Sequence, residues 1–339
     1  MTLARIPVRD YRAGGLLAYA LDHARAADHL METVLTGLGP AGRAIRPLLP
    51  LADRVARRRL EAMHDPYRTE ILSIRAALGR PGPVAFNLSY EFACTARVFA
   101  DADDPVLFRT LDWPFHGLGD LVEIVRLPGA HGDWITATWP GLTGVLQGCA
   151  PGRFAIVLNQ APERRAWLGR PGAWIGSKSR FMRATGLPPA HLLRRVMEEA
   201  ADFDTAADML TTTPVAAPVI YTMAGPGAGP GTGPGNRACV IERTEGQAAT
   251  RAHPVAANHF EEVAEATAPR WRPRGYDSAG RHRLAAEMTA PPDLAALPAP
   301  ILNPHTRLAM TLSTAGALSI AGYEGARRVT EVRTVAFGT

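Results

Sequence analysis

The spacing of apolar residues changes near residue 93, and that switch constrains the fold more than any other feature of the chain. Over residues 15–38, 41–63 and 67–78 apolar side chains recur every three or four positions, the spacing of helices that bury one face. Breaks are expected at Gly39-Pro40, Asp65-Pro66 and the run Gly79-Arg80-Pro81-Gly82-Pro83. From Cys94 onward, short apolar runs separated by turn residues replace this pattern. Residues 94–100 and 106–112 flank the turn Asp101-Ala102-Asp103-Asp104-Pro105, residues 121–127 and 134–139 flank 129–133, and residues 144–148 and 153–158 flank Pro151-Gly152. Three such pairs in succession predict hairpins and an antiparallel sheet. A long helix over 190–210 follows, then strands near 219–224, 238–243 and 255–260, a short helix near 281–288 and two closing strands within 308–320. Strands, helices and strands again, with no linker between them, predict an α+β fold in which sheets pack under helices.

Composition limits what such a fold is for. With 339 residues, 47% hydrophobic and 20% charged, the chain has enough apolar material for a large core. No apolar run approaches the ~18–20 residues of a membrane span, and residues 1–14 lack the apolar core of a signal peptide, so a cytoplasmic location is expected. Cys94, Cys149 and Cys239 form neither a disulfide framework nor a pair at metal-ligand spacing. The net charge is +5, with residues 1–93 holding 13 Arg against 9 Asp and Glu. Arg54, Arg57, Arg58 and Arg59 run beside Leu48, Leu49, Leu51, Val55 and Leu60, a pattern that fits a solvated helix face or peripheral contact of the N-terminal helices with an anionic membrane. Nucleic acid is not an expected partner, because basic residues do not interleave with aromatics, which make up 7% of the chain. The segment 225–235 (GPGAGPGTGPG) reads as a connecting loop, since its prolines remove backbone donors, and 172–179 departs from phosphate-loop spacing. His116, His259 and His282 show no ligand spacing on one helix, so they read as ordinary polar residues, and no metal or organic cofactor is expected.

The residues that suggest chemistry are Asn87-Leu88-Ser89-Tyr90-Glu91-Phe92-Ala93-Cys94-Thr95 and Phe108-Arg109-Thr110-Leu111-Asp112-Trp113. A hairpin with its turn between them brings residue 94 near 109–112, so a thiol, a guanidinium and a carboxylate share one strand end. By itself Cys94 is as readily a small core residue, and Arg109 and Asp112 a structural ion pair.

These stretches resemble the acid ceramidase and N-acylethanolamine acid amidase group of N-terminal-nucleophile hydrolases, which is related to choloylglycine hydrolases and penicillin acyltransferases. The resemblance runs from residues 67–78 and 87–95 through Arg109-Thr110-Leu111-Asp112, 144–148, 151–160, 238–243, Asn258-His259-Phe260 and Asp277-Ser278-Ala279-Gly280-Arg281. It implies a four-layer αββα sandwich and a precursor that cuts its own Ala93-Cys94 bond. Residues 1–93 would be a helical pro-segment or small subunit and 94–339 the catalytic subunit, the two products staying associated. It further implies Cys94 as nucleophile with its freed α-amino group as base, Asp112 orienting that amine, and Arg109 favouring the thiolate and fixing Asp112. Asn258 would donate to the oxyanion, with Arg281 supporting the site. The implied substrate is a linear N-acyl amide with an apolar acyl chain, ceramide- or N-acylethanolamine-like. Gln160 stands where ceramidase-like members tend to carry glutamate. The rival readings are an acyltransferase that uses the same acyl-cysteine and a binding protein that retains the fold without catalysis.

Overall fold

In a computed structural model the described residues are 3–89, 92–100, 104–167, 169–227, 236–263 and 271–337. The masked part of the glycine-proline loop, 228–235, and residues 101–103 of the first turn lie outside them. The N-terminal segment comprises β1 (Val8–Asp10), α1 (Gly15–Asp22), α2 (Ala24–Gly37), α3 (Pro40–Ile45), α4 (Leu49–Ala62), α5 (Arg68–Leu78) and α6 (Pro83–Phe86). Two helices expected to be continuous are therefore divided. The first breaks at His23, and the second is interrupted by a 3-10 turn over Arg46–Leu48, with Pro50 in the first turn of α4, where its missing N–H costs nothing. The segment also supplies a strand, β1, which its pattern of alternating charges conceals.

The remaining elements are β2 (Ala93–Phe99), β3 (Val106–Asp112), β4 (Glu123–Leu127), β5 (Trp134–Thr138), β6 (Gln147–Ala150), β7 (Phe154–Gln160), β8 (Glu163–Arg164), α7 (Gly169–Arg183), α8 (Pro189–Glu199), α9 (Phe203–Thr212), β9 (Val219–Pro226), β10 (Asn236–Arg243), β11 (Ala248–Arg251), β12 (Val255–Ala256), β13 (Trp271–Arg272), α10 (Ser278–Glu287), β14 (Thr306–Ser313), β15 (Ala317–Glu324), β16 (Arg327–Arg328) and β17 (Arg333–Ala336). The three expected hairpins form but divide between two sheets. One sheet runs β1-β4-β5-β6-β7-β9-β10-β11, and the other β12-β2-β3-β14-β15-β16 with β17 on β15. The single long helix expected over 190–210 is two, α8 and α9, because Asp202 caps the second by accepting from the Thr205 N–H at 2.8 Å.

β2 and β3 of the smaller sheet pack on β7 and β9 of the larger, and side chains from both fill the main core, among them Leu107, Leu111, Ala155, Val157, Ala224 and Leu308. α8 and α9 cover the outside of the larger sheet, while α10 covers β2 and β12 over a second core of Phe99, Phe108, Ala285, Ile301 and Tyr323. The layer order is αββα, as the resemblance implies.

A buried polar cluster joins the N-terminal segment to α8. Arg194 donates to both oxygens of Glu70 at 2.6 and 2.9 Å and to Glu198 at 2.8 Å, and its guanidinium lies 4.0 Å from the Tyr67 ring centroid. Tyr67 donates to Glu198 at 2.7 Å, and His191 meets Asp65 at 2.6 Å with both side chains fully buried.

Candidate active site

β2 and β3 set Ala93 opposite Asp112, Cys94 opposite Leu111 and Ala96 opposite Arg109. Facing residues project from the same side of a sheet, so Cys94 and Arg109 share one side and Ala93 and Asp112 the other. The Cys94 and Arg109 side is the interior between the sheets. Arg109 Nη1 donates to Leu146 O at 2.5 Å and Gln147 Oε1 at 2.6 Å, and its Nη2 donates to Cys94 Sγ at 2.9 Å. The thiol also lies 3.7 Å from Leu158 O on β7. Leu146 O also accepts from the Leu158 N–H, whereas the Val145 N–H turns to Ala190 O on α8, and β6 begins at Gln147 rather than at residue 144.

Burial pushes the Cys94 thiol above its ordinary value, and Arg109 is the chief influence holding it down. The thiolate that the arginine was expected to favour is therefore opposed, in the uncleaved chain, by complete desolvation. Cys149 and Cys239, on β6 and β10, are buried as well and are both pushed up to about 12 by burial.

On the opposite side of the hairpin, the Asp112 carboxylate accepts from Asn303 Nδ2 at 2.8 Å and Thr306 Oγ1 at 3.0 Å, and Arg281 Nη1 lies 3.5 Å away. Arg281, rather than the expected Arg109, is the arginine on Asp112. Positions 109 and 112 are an odd number apart on one strand and cannot point the same way. Burial raises the Asp112 carboxyl above its ordinary range, with Arg281, Asn303 and Thr306 acting against the rise.

Asn258 follows β12, which pairs with β2 and so carries it to the nucleophile strand. Its Oδ1 accepts from the Cys94 backbone N–H at 2.9 Å and from Arg281 Nη2 at 2.9 Å, and its Nδ2 donates to Gln160 O at 2.7 Å. Arg281 projects from α10, whose cap is Asp277 accepting from the Gly280 N–H at 3.0 Å. The guanidinium also donates to Cys94 O at 2.5 Å and Thr95 Oγ1 at 3.0 Å. Cys94, Arg109, Asp112, Asn258 and Arg281 thus form one unbroken chain of direct contacts around the Ala93-Cys94 peptide.

Four neighbours were not among the expected site residues, although Gln147 lies in a stretch that carries the resemblance. Asn303 and Thr306 reach Asp112 from nearly two hundred residues away, and Gln147 braces Arg109 from β6. Gly275, with φ +72°, abuts the peptide itself, since a Cβ there would lie 2.3 Å from Ala93 Cβ and 3.0 Å from Arg281 Nη2. Two clefts meet at this point, sharing Phe92, Gln160 and Arg274. One is lined by Ala93, Asp112 and Tyr276, and the other by Leu88, Leu158, Phe181 and Val219.

The αββα layers carry a cysteine-led central hairpin, and in sequence the chain is similar to acid amidases. It is 28% identical to the N-acylethanolamine-hydrolyzing acid amidase of Cavia porcellus over 171 residues, 48% of this chain and 45% of that protein. It is 26% identical to the Rattus norvegicus amidase of the same name over 220 residues, 61% of this chain and 55% of that one. The chain thus spans about half the length of the curated relatives it matches. No protein-family model matches it. Among solved structures, the Caenorhabditis elegans ortholog of N-acylethanolamine-hydrolyzing acid amidase aligns with a TM-score of 0.44 at 16% identity, over 73% of this chain and 99% of that one. The conjugated bile acid hydrolase of Clostridium perfringens aligns with a TM-score of 0.41 at 9% identity, over 72% and 97%.

Proposed function

We propose that this protein is an amidohydrolase that cuts its own Ala93-Cys94 bond and then cleaves the linear amide of an N-acylated amine, N-acylethanolamine- or ceramide-like, through an acyl-Cys94 intermediate. The observation that carries the reading is the grip on both halves of Cys94. Its sulfur receives Arg109 Nη2 at 2.9 Å, while its backbone nitrogen is held by Asn258 Oδ1 at 2.9 Å.

In maturation the Cys94 sulfur attacks the Ala93 carbonyl carbon, the C–N bond breaks, and the thiol proton passes to the departing nitrogen. Water then hydrolyses the thioester, leaving Ala93 with a carboxylate and Cys94 with a free α-amine. That amine, with an ordinary pKa of about 7.7–8.0, serves as the base. In turnover it takes the thiol proton as sulfur attacks the substrate amide and returns it to the leaving amine, and water releases the fatty acid from the thioester. Asp112, opposite Ala93 on the ladder, orients the new amine, and Arg109 stabilises the thiolate. Asn258 Nδ2 bonds Gln160 O before the cut, and it becomes an oxyanion donor by exchanging that partner for the substrate.

On this reading residues 1–93 are the small subunit and 94–339 the catalytic one, held together by the Glu70-Arg194-Glu198 cluster. The acyl chain follows the apolar cleft beyond Phe92. Membrane contact belongs to the same proposal. Leu48 and Leu51 are 56% and 55% exposed beside Arg54, Arg57 and Arg58, and Trp174 and Ile175 on α7 are likewise exposed. Arg59, grouped with that basic face from the sequence, instead turns inward, lying 5.9 Å from the Phe181 ring centroid. The cytoplasmic setting is part of the proposal as well. No helix among the described residues is long and apolar enough to cross a membrane.

Intact mass of the purified protein, followed by a panel of N-acyl amides, tests the reading. Fragments of roughly 10 and 26 kDa, scaled by residue count, and fatty acid release that disappears in Cys94→Ala, are expected. Amide hydrolysis by a chain that stays full length would remove the α-amine mechanism.

A further inference from the structure

We propose that His253, Glu261 and His282 form a binding site for one divalent transition-metal ion of the zinc class. The three residues come from separate segments. His253 precedes β12, Glu261 follows Asn258 by three positions, and His282 is next to Arg281 on α10. Helical spacing could not reveal the group, which is why His282 reads from the sequence as an ordinary polar residue. In the fold, one ligating atom from each lies within 4.8 Å of the other two.

The spacing fits coordination. Bonds of ~2.0–2.1 Å in a tetrahedral zinc site place ligand atoms ~3.3 Å apart. His282 Nε2 and Glu261 Oε1 are already 3.3 Å apart. His253 is exposed and lies on a connection between strands, so a rotamer change closes the third arm.

Two further observations fit a ligand set. His282 Nε2 is shielded from solvent and meets Glu261 Oε1 as an ion pair without hydrogen-bond geometry. The carboxylate it faces is fixed from behind, because Glu261 Oε2 binds Arg251 Nη2 at 2.9 Å, leaving Oε1 turned toward the two imidazoles. Arg251 is itself shared with the buried Glu242 at 3.3 Å, which offsets part of its charge beside the site. Glu242 also accepts the backbone N–H groups of Glu261, Glu262 and Val263 at 2.9–3.1 Å, pinning the segment that carries the carboxylate. Ligating carboxylates are held by outer partners in this way. Two imidazoles and one carboxylate select zinc, cobalt or nickel over calcium or magnesium, and three protein ligands leave a position for water. The ion ties the segment bearing Asn258 to the helix bearing Arg281.

The test uses the full-length Cys94→Ala chain, in which the nucleophile thiol cannot compete for metal. Cobalt(II) titration followed by visible absorption, with calorimetry of Zn²⁺ binding, should give one ion per chain and a tetrahedral cobalt spectrum. His253→Ala, at an exposed position where folding is not at risk, should weaken binding by at least ~10-fold, as should His282→Ala. His131→Ala, at another exposed histidine, should change nothing. Excess Zn²⁺ should raise the melting temperature of the parent chain but not of the His253→Ala/His282→Ala double variant. Absence of a cobalt spectrum and of binding heat, or one-to-one binding that survives in the double variant, would overturn the proposal.

Discussion

Replacing Gly275 with alanine should arrest self-cleavage while sparing the fold. The position sits at φ +72°, which costs an L-residue ~1–2 kcal/mol. The added methyl would lie 2.3 Å from Ala93 Cβ, where carbon atoms in contact prefer ~3.5–4.0 Å, so the two segments must separate by more than ~1 Å. In the proposed maturation Ala93 carries the carbonyl that Cys94 attacks. The sulfur does not follow the displacement, because Arg109 holds it and is itself anchored to Leu146 O and Gln147 on the other sheet. A misplacement of ~1 Å between reacting atoms costs on the order of 10²-fold in rate. Intact mass sampled through a time course gives the half-life of the full-length chain, expected to lengthen about 100-fold in Gly275→Ala. Gly246→Ala is the control, since a Cβ there meets nothing within 4 Å. Thermal melting checks that the variant is folded. A folded Gly275→Ala chain that matures with the wild-type half-life would refute the assignment of the Ala93-Cys94 peptide as the bond that is cut.

Three other outcomes are expected. Asp112→Asn removes a charge at nearly constant volume, so the mature protein should stay folded and lose at least ~10²-fold in turnover with little change in KM; full activity would reduce Asp112 to a structural role. Because burial raises the Cys94 thiol, iodoacetamide labelling of the uncleaved chain should be slow at pH 7 and accelerate as pH rises toward and beyond 9, where thiolate accumulates. Labelling of Cys94 in the cleaved form should be faster at pH 7, and equal labelling of both forms would remove the link between processing and activation. Arg194→Ala leaves the carboxylate of Glu70, 12% exposed, without its partner, and should destabilise by about 3 kcal/mol. Calorimetry reads the loss, and size-exclusion chromatography should show residues 1–93 separating from the cleaved protein.

What the sequence disclosed followed the range of its signals. The β2-β3 hairpin was legible to the residue at its outgoing end, because Asp104-Pro105 and Asp112 bound a run that only a strand accommodates. The assignment of β2-β3 to one sheet and β4 to β7 to the other was not, since alternation fixes a strand's two faces without saying which neighbour covers them. α7 was missed because Gly172 and Gly176 lower its intrinsic helicity, and it forms against tertiary contacts such as Phe181 on the cluster of Ala56, Leu60, Ile71, Val84 and Leu88. At the site, the five residues drawn from the resemblance are contiguous in space, but their partnerships were hidden. Which arginine meets Asp112 depends on strand parity, and Asn303 is brought to it by the β3-β14 pairing, with a bulge between Thr306 and Leu308.

β1 has a bearing on how this protein can be made. Val8, Arg9 and Asp10 lie in parallel register along Ile124, Val125 and Arg126, so the outer backbone of β4 is capped by a strand that belongs to the first 93 residues. A gene beginning at Cys94 would leave that row of N–H and C=O groups bare, a template for strands of other molecules, and its product should aggregate. Supplying residues 1–93 on a separate gene should restore soluble protein, whereas a version of them with proline in place of Arg9, whose N–H faces β4, should not. The leading strand thus protects the sheet against self-association whether or not the chain that carries it stays covalently attached.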